Sequence, residues 1–298
     1  MIWINQIIQG VLLGGYYALI ACGLSFLFSV MRIINLAHGS LAVLAAYALF
    51  WLADRFGISP LVGLVIVLPL MGLLGWVLQK TVLERSVRSG QLVPVLSTFG
   101  LAIVVDNLLF QGFGADTRSL APYVGSLSYD SWDVNDDISL GTLAMITFVT
   151  AVAMLGGLQL FLMRTPLGRA IRATAEDPDT VGLVGINATR VNAIAMSIAM
   201  VTVGVAGFFL AIRATFAPYA GAAQLLFAFE STVIGGVGSL WGTLIGGIVL
   251  GVAQSLGAQL HPQGFLIAGH LTFLAILLAR LTVAARGGRL SAWIGSAK

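Results

Sequence analysis

The chain has 298 residues, of which 58% are hydrophobic and only 9% charged, where soluble domains run at about a quarter charged. No segment is polar enough to be a soluble domain, and the net charge of +3 does not point to nucleic acid, because in an apolar chain the placement of Lys and Arg matters more than their sum. The class is an all-α polytopic membrane protein with about eight or nine transmembrane segments, one of them short or re-entrant, read as a single transmembrane domain over residues 1–298.

Apolar runs long enough to cross a hydrocarbon core of about 30 Å recur from end to end. The first covers roughly residues 7–30 and carries Gly10, Gly14, Gly15 and Gly23, small residues suited to burial among other helices. It lacks a basic leader and a small-residue cleavage site, so it reads as a retained helix. Cys22, the sole cysteine, lies inside this run and reads as a small packing residue. After Arg32 comes a polar, glycine-bearing break, Asn35-Leu-Ala-His38-Gly39-Ser40. Asn35 and His38 would share a face on a helix, where with Gly39 they line a path, pin a helix break or bond between helices. A short second span at about 41–53 ends at Asp54 and Arg55, and a third at about 59–79 contains Pro60 and Pro69, the latter predicting a kink.

Lys80, Glu84, Arg85 and Arg88 form a basic connection to a fourth span at about 92–110. Asp106 and Asn107 lie toward its far end, where Asp106 is expected to snorkel or face external water. Residues 112–138 are the most acidic interval, with Asp116, Asp130, Asp133, Asp136 and Asp137 against Arg118. A fifth span at about 139–162 leads into the longest polar interruption, residues 164–190, and a sixth runs over about 191–212.

The 164–190 stretch carries four arginines and three carboxylates but is written as helix. Thr165 and Pro166 are suited to N-cap and first helical position, and Asp177 with Pro178 repeats that signal. Leu167 and Ile171 share a face, and Arg172 and Glu176 are spaced for an i,i+4 pair. Acidic Glu176, Asp177 and Asp179 would be repelled by anionic lipid, so docking to a protein partner is favoured over a surface-bound amphipathic helix.

The remainder is less regular. Phe227 to Ser239 is apolar but short, reads as a re-entrant or half-membrane helix, and is broken by Gly235, Gly236 and Gly238. Glu230 could cap its start, where the helix dipole favours a carboxylate, or hold a coupling ion. The glycine cluster before Trp241 predicts a tight turn beside a translocation path rather than a mere packing seam. Spans at about 241–258 and 264–283 follow, with His270 expected as a hydrogen-bonded packing residue and a basic tail of Arg286, Arg289 and Lys298.

Orientation follows from charge. The Lys80–Arg88 connection, residues 164–190 and the chain from Arg280 onward hold eleven Lys and Arg, against Arg55, Arg118 and Arg213 on the other side. The positive-inside rule makes the first set cytoplasmic, with the first span starting outside, provided that Phe227–Ser239 crosses and the Asn35 break faces the cytoplasm. No phosphate-binding G-x-x-x-x-G-K-[ST] loop is present, the three histidines lack ligand spacing, and no nucleophile elbow presents a serine, so catalysis by this chain is not expected.

Four motifs together resemble a known family. They are Gly15-Tyr-Tyr-Ala-Leu19 with Gly23-Leu24, Asn35-Leu-Ala-His-Gly39, Gly168-Arg-Ala-Ile-Arg-Ala-Thr-Ala-Glu-Asp177, and Gly235-Gly-Val-Gly-Ser-Leu-Trp-Gly242. The chain resembles permease subunits of the bacterial branched-chain amino-acid ABC importers, the LivH-like branch, over nearly its whole length. The resemblance implies a multi-pass inner-membrane protein that pairs with a second permease subunit, two cytoplasmic ATPase subunits and a periplasmic substrate-binding protein, to carry a small amino-acid substrate across the lipid bilayer. It implies no cofactor in this chain, ATP and Mg being used by the partner ATPases. It also makes the cytoplasmic stretch a coupling helix, with Gly168, Arg169, Arg172, Ala173, Glu176 and Asp177 at the contact. Asn35, His38, Gly39, Glu230, Gly235, Gly236 and Gly238 are the expected path residues. Many members carry Glu where Ser40 stands and a small residue where Glu230 stands. Urea and short-amide permeases share the motifs and remain an alternative, as does a stand-alone secondary transporter, which predicts paired intramembrane carboxylates or an inverted repeat with matching broken helices.

Overall fold

The computed structural model describes residues 2–90, 92–135, 138–178 and 180–287. Asp136, Asp137, Asp179, Arg289 and Lys298 of the sequence reading lie outside the described residues. The architecture is all-α, and eight of the described helices are long and apolar enough to cross a membrane. They are α1 (Ile2–Met31), α2 (His38–Phe56), α3 (Pro60–Leu78), α5 (Val93–Phe113), α6 (Thr142–Arg164), α8 (Ala188–Arg213), α10 (Leu240–Leu260) and α11 (Gly264–Gly287). A π turn over Gln79–Leu83 joins α3 to α4 (Glu84–Arg88), so the expected basic connection is a continuation of the third helix. Pro69 sits inside α3 without ending it. Two shorter helices complete the set: α7 (Pro166–Glu176) and α9 (Gly221–Gly235).

The helix ends carry the local signals that the sequence contains. Thr165 Oγ1 accepts from Gly168 N at 2.9 Å, Asn187 Oδ1 from Arg190 N at 3.0 Å, and Ser239 Oγ from Gly242 N at 3.0 Å, each satisfying a donor that the first turn leaves free. Asp177 also accepts from Thr180 N at 3.1 Å, but what it opens is a 3₁₀ turn over Thr180–Val184. The acidic external interval is not merely a loop. It contains an antiparallel hairpin, β1 (Ser131–Asn135) with β2 (Ile138–Gly141), which a charge count does not show.

The helices pair through small residues. Gly10 and Gly14 of α1 face Val252 and Ile248 of α10, where a Cβ on Gly10 would lie 2.5 Å from Val252 Cα. Gly75 of α3 meets α8 in the same manner, its Cβ position 2.7 Å from the Met196 carbonyl oxygen. These two pairings are related by exchanging the halves of the chain. So are the next two: α2 runs beside α8 at Gly207 and Ala45, and α9 runs beside α1 with the Tyr17 and Phe227 rings 5.0 Å apart. Where the exchange maps a pair onto itself, the equivalent elements meet each other. Gly39 at the start of α2 abuts Gly221 at the start of α9, and a Cβ on Gly221 would lie 2.6 Å from Ser40 Cα. The pattern is that of an inverted repeat built on two broken helices. The repeat partner of the Asn35 break is therefore the segment 214–220, not the Gly235 cluster.

Helix ends sort into two faces of the bundle. Arg32, the turn at Gly90, α7, the turn at Gly238 and Arg280 gather at one end. The hairpin, Arg118, Arg213 and the Gln6–Gln259 contact lie at the other. The sorting agrees with the cytoplasmic and external sides expected from charge, and α9 reaches the basic end, so it counts as a crossing.

Candidate translocation path and coupling site

The chain leaves α1 at Arg32, whose φ of 53° makes it the left-handed residue that ends the helix. It then turns back into the bundle. Asn35 Oδ1 accepts from Ala37 N at 3.0 Å and the Asn35 carbonyl accepts from His38 N at 3.2 Å, while Leu36 N donates to Thr98 Oγ1 at 3.1 Å. His38 opens α2 with its ring fully buried, 2.6 Å from the Ile20 carbonyl oxygen in the middle of α1. That oxygen only accepts, so Nε2 carries a hydrogen, while Nδ1 is buried without a partner. Asn35 and His38 do not share a helix face. They pin the break and start α2 inside the bundle rather than at its surface.

Asp106 is drawn into the same neighbourhood. It is half-buried near Ser40 across the α2–α5 contact, with its Oδ1 enclosed and without a hydrogen-bond partner, rather than simply facing external water. Because Gly39 and Gly221 touch, the first turns of α2 and α9 meet within the bundle and run away from each other, α2 outward and α9 inward. Two helix N-termini thus converge at one level.

Glu230 does not cap the start of a helix. α9 begins at Gly221, six residues before the Phe227 expected from sequence, which leaves Glu230 in its second half. Its Oε1 lies 2.6 Å from His270 Nδ1 of α11, and its Oε2 is buried without a partner. His270 is hydrogen-bonded as expected, but to the one buried carboxylate of the neighbouring half-helix. Ten residues on, Arg280 donates to the carbonyls of Val233 at 3.2 Å and Ile234 at 2.5 Å, closing the C-terminal end of α9. α11 thus holds α9 at two points. Replacing Glu230 by Ala is expected to destabilise the purified protein by about 1–2 kcal/mol, the upper range for an interhelical bond in a membrane. Glu230→Gln retains an acceptor for His270 and is expected to lose less. Thermal unfolding in detergent checks the order, and equal losses would contradict it.

Gly235 and Gly242 are packed backbone to backbone, and Gly246 faces Gly235 N at 2.6 Å from its Cβ position. Gly236 and Gly238 take φ of 101° and 84°, values that side-chain-bearing residues rarely adopt, so the expected tight turn is present. It lies at the basic end of the bundle beside Ser29, far along α9 from the α2 break. The expected path residues therefore occupy three levels: Asn35, His38 and Gly39 within the bundle, Glu230 along α9, and the glycine turn at its end.

α7 is amphipathic. Gly168, Ile171 and Thr174 are buried against the bundle, whereas Arg169, Arg172, Glu176 and Asp177 are exposed and Ala173 is half-buried. Gly168 belongs to the inner face, its Cβ position 2.6 Å from Leu162 Cα of α6, so it seats the helix and does not present a contact surface. Arg172 and Glu176 form no ion pair with each other among the described residues, despite their spacing. Arg172 and Gly238 line one cavity of about 230 Å³ with Ser29, Gln159 and Leu240. The outer helix and the glycine turn are thus direct neighbours, a juxtaposition of residues 66 positions apart that no local pattern in the sequence contains.

Comparison with known proteins matches residues 6–282 to the family described as the permease component of the branched-chain amino acid transport system. The permease LivH of the high-affinity branched-chain amino acid transport system of Salmonella typhimurium is 32% identical over 270 residues, 86% of each chain. BraD of Pseudomonas aeruginosa, described in the same terms, is 28% identical over 92% of this chain and 93% of its own. A probable LivH of Methanocaldococcus jannaschii is 30% identical over 95% and 91%. An inverted repeat by itself also suits a stand-alone transporter, so the assignment rests on a match that spans both halves and all four motifs. The chain belongs to the branched-chain amino acid transport permease family, as a multi-pass inner-membrane transport component.

Proposed function

We propose that this chain is one permease subunit of an ATP-driven importer that carries branched-chain amino acids inward. The observation that carries the reading is α7: a short amphipathic helix between two spans, seated by small buried residues and presenting exposed charges, next to the turn that ends the broken helix α9. In this reading two partner ATPases receive Arg169, Arg172, Ala173, Glu176 and Asp177, a second permease completes the path, and a periplasmic binding protein delivers the substrate. ATP and Mg are used by the partners, and this chain contributes no cofactor and no catalysis. Closure of the ATPases displaces α7, and the displacement reaches the Gly236–Gly238 turn and α9. The path can shift between inward- and outward-facing only by the free energy with which the partners bind the two states differently.

Reconstitution tests the reading. Proteoliposomes holding this chain, the second permease, both ATPase subunits and the binding protein are expected to take up labelled leucine only with ATP and with every subunit present. Uptake by this chain alone, driven by an ion gradient, would make it a secondary transporter. ATP-driven uptake of urea or acetamide without leucine would assign it to the short-amide class.

A further inference from the structure

The external end of the bundle holds three arginines, and they are not equivalent. Arg118 lies 3.6 Å from Asp116, and Arg55 occupies the last turn of α2. Arg213 ends α8 exposed, with its guanidinium stacked 4.7 Å from the centre of the Tyr16 ring and no carboxylate paired to it among the described residues. The C-terminal dipole of α8 favours a positive charge there, but only weakly at an exposed site. It does not explain what Arg213 faces. Arg213 lines a cavity of about 240 Å³ with Tyr16, Tyr17, Gln224, Phe227 and Phe265.

The polar groups of this cavity are oriented. Tyr16 donates its hydroxyl to Gln224 Oε1 at 2.7 Å, which occupies the amide oxygen and leaves the Nε2 hydrogens available. The Tyr17 hydroxyl is held by Gln254 Oε1, so its ring is fixed against that of Phe227, centroids 5.0 Å apart. The result is a guanidinium and an amide donor at one side and rigid aromatic walls at the other. A planar anion on an apolar body fits both, since guanidinium matches a carboxylate with two parallel hydrogen bonds. The volume is below the roughly 300–1,000 Å³ usual for drug-sized ligands, which suits one amino acid. Phe227 precedes Glu230 by three residues on α9, about 4.5 Å along the helix, so the cavity lies immediately outward of the buried acid.

We propose that this cavity is a binding site within the permease for a single apolar α-amino acid, with Arg213 taking the carboxylate and Tyr17 and Phe227 packing on the side chain. The proposal rests on the importer reading and deepens it by placing a substrate site in this chain, separate from the binding protein.

The test uses the assembled importer in lipid nanodiscs without the binding protein, probed with tritiated leucine by scintillation proximity. Saturable binding is expected below about 10 mM, a free energy near 3 kcal/mol. 4-Methylpentanoate, which keeps the carboxylate, is expected to compete, and 3-methylbutylamine, which lacks it, is not. Arg213→Gln is expected to weaken binding at least about tenfold, or 1.4 kcal/mol, with Arg213→Lys intermediate and Phe227→Ala also weakened. Absence of saturable binding, equal competition by the amine, or unchanged affinity in Arg213→Gln would overturn the proposal. The competition pair needs no variant, so it decides even if a substituted protein does not fold. Adding the binding protein and ATP to the same preparation separates the two readings. Wild-type uptake of leucine with no effect of Arg213 sinks the site alone, whereas no ATP-driven uptake at all sinks the importer reading.

Discussion

Gly39→Leu is expected to abolish recovery of folded protein. A Cβ at Gly39 would collide with the Gly221 carbonyl oxygen and lie 2.8 Å from Leu225 N. Both obstacles are backbone, and neither can rotate away as a side chain would. Overpacking a core that can relax costs about 1–3 kcal/mol. Here the starts of two broken helices would have to separate, and the His38 contact to Ile20 and the Asn35 turn depend on the same few residues. Gly39→Ala already introduces the offending atom and is expected to lower the unfolding temperature in detergent, with Leu removing the monodisperse species altogether. Gly100→Leu serves as the control, since nothing lies within 4 Å of its Cβ position. Normal size-exclusion profiles and unfolding temperatures for Gly39→Leu would show that the contact between α2 and α9 does not hold the fold.

The second large effect is functional. Replacing Arg172 and Glu176 together by Ala is expected to leave insertion and stability unchanged and to cut ATP-driven uptake by tenfold or more. Both side chains are exposed, and no ion pair joins them, so their removal costs the isolated chain little. If each anchors a protein contact worth about 1–2 kcal/mol, losing both weakens the grip by at least roughly tenfold. Co-purification of the ATPase subunits and leucine uptake are the two readouts. Retention of both would remove the coupling role from this face of α7. Ile171→Ala provides the contrast: Ile171 is fully buried, so this variant should loosen the seat of α7 and reduce stability as well as uptake.

These two experiments address contacts of different legibility. α7 was readable because its signals are local: Thr165 and Pro166 cap it, and its period places Arg172 and Glu176 on one side. The spans were readable because hydrocarbon thickness demands long apolar runs, and the glycine turn because Gly236 and Gly238 permit a backbone that other residues resist. The hairpin was hidden by the same acidic residues that marked its interval, since net charge carries no period. The extent of α9 was hidden as well. Its first turn, Gly221 to Gln224, has no side-chain cap and little polarity to mark a start.

By itself, then, the sequence determined the membrane class, the number and rough limits of the long helices, the gathering of the basic connections at one end and the existence of a capped helix between the fifth and sixth spans. Each depends on composition or on spacing within about one helix. Only the tertiary structure decided which faces meet. It paired Glu230 with His270 across 40 positions, set Arg280 on the end of α9, joined Gly39 to Gly221 and showed the halves to be an inverted repeat. In lipid, close approach of small residues and interhelical hydrogen bonds choose partners, and a glycine or a lone acid looks the same in sequence whichever partner it finds. That is why Asn35 and His38 could be singled out early as the site of a break, while the helix they start could be matched to α9 only once both were placed in one bundle.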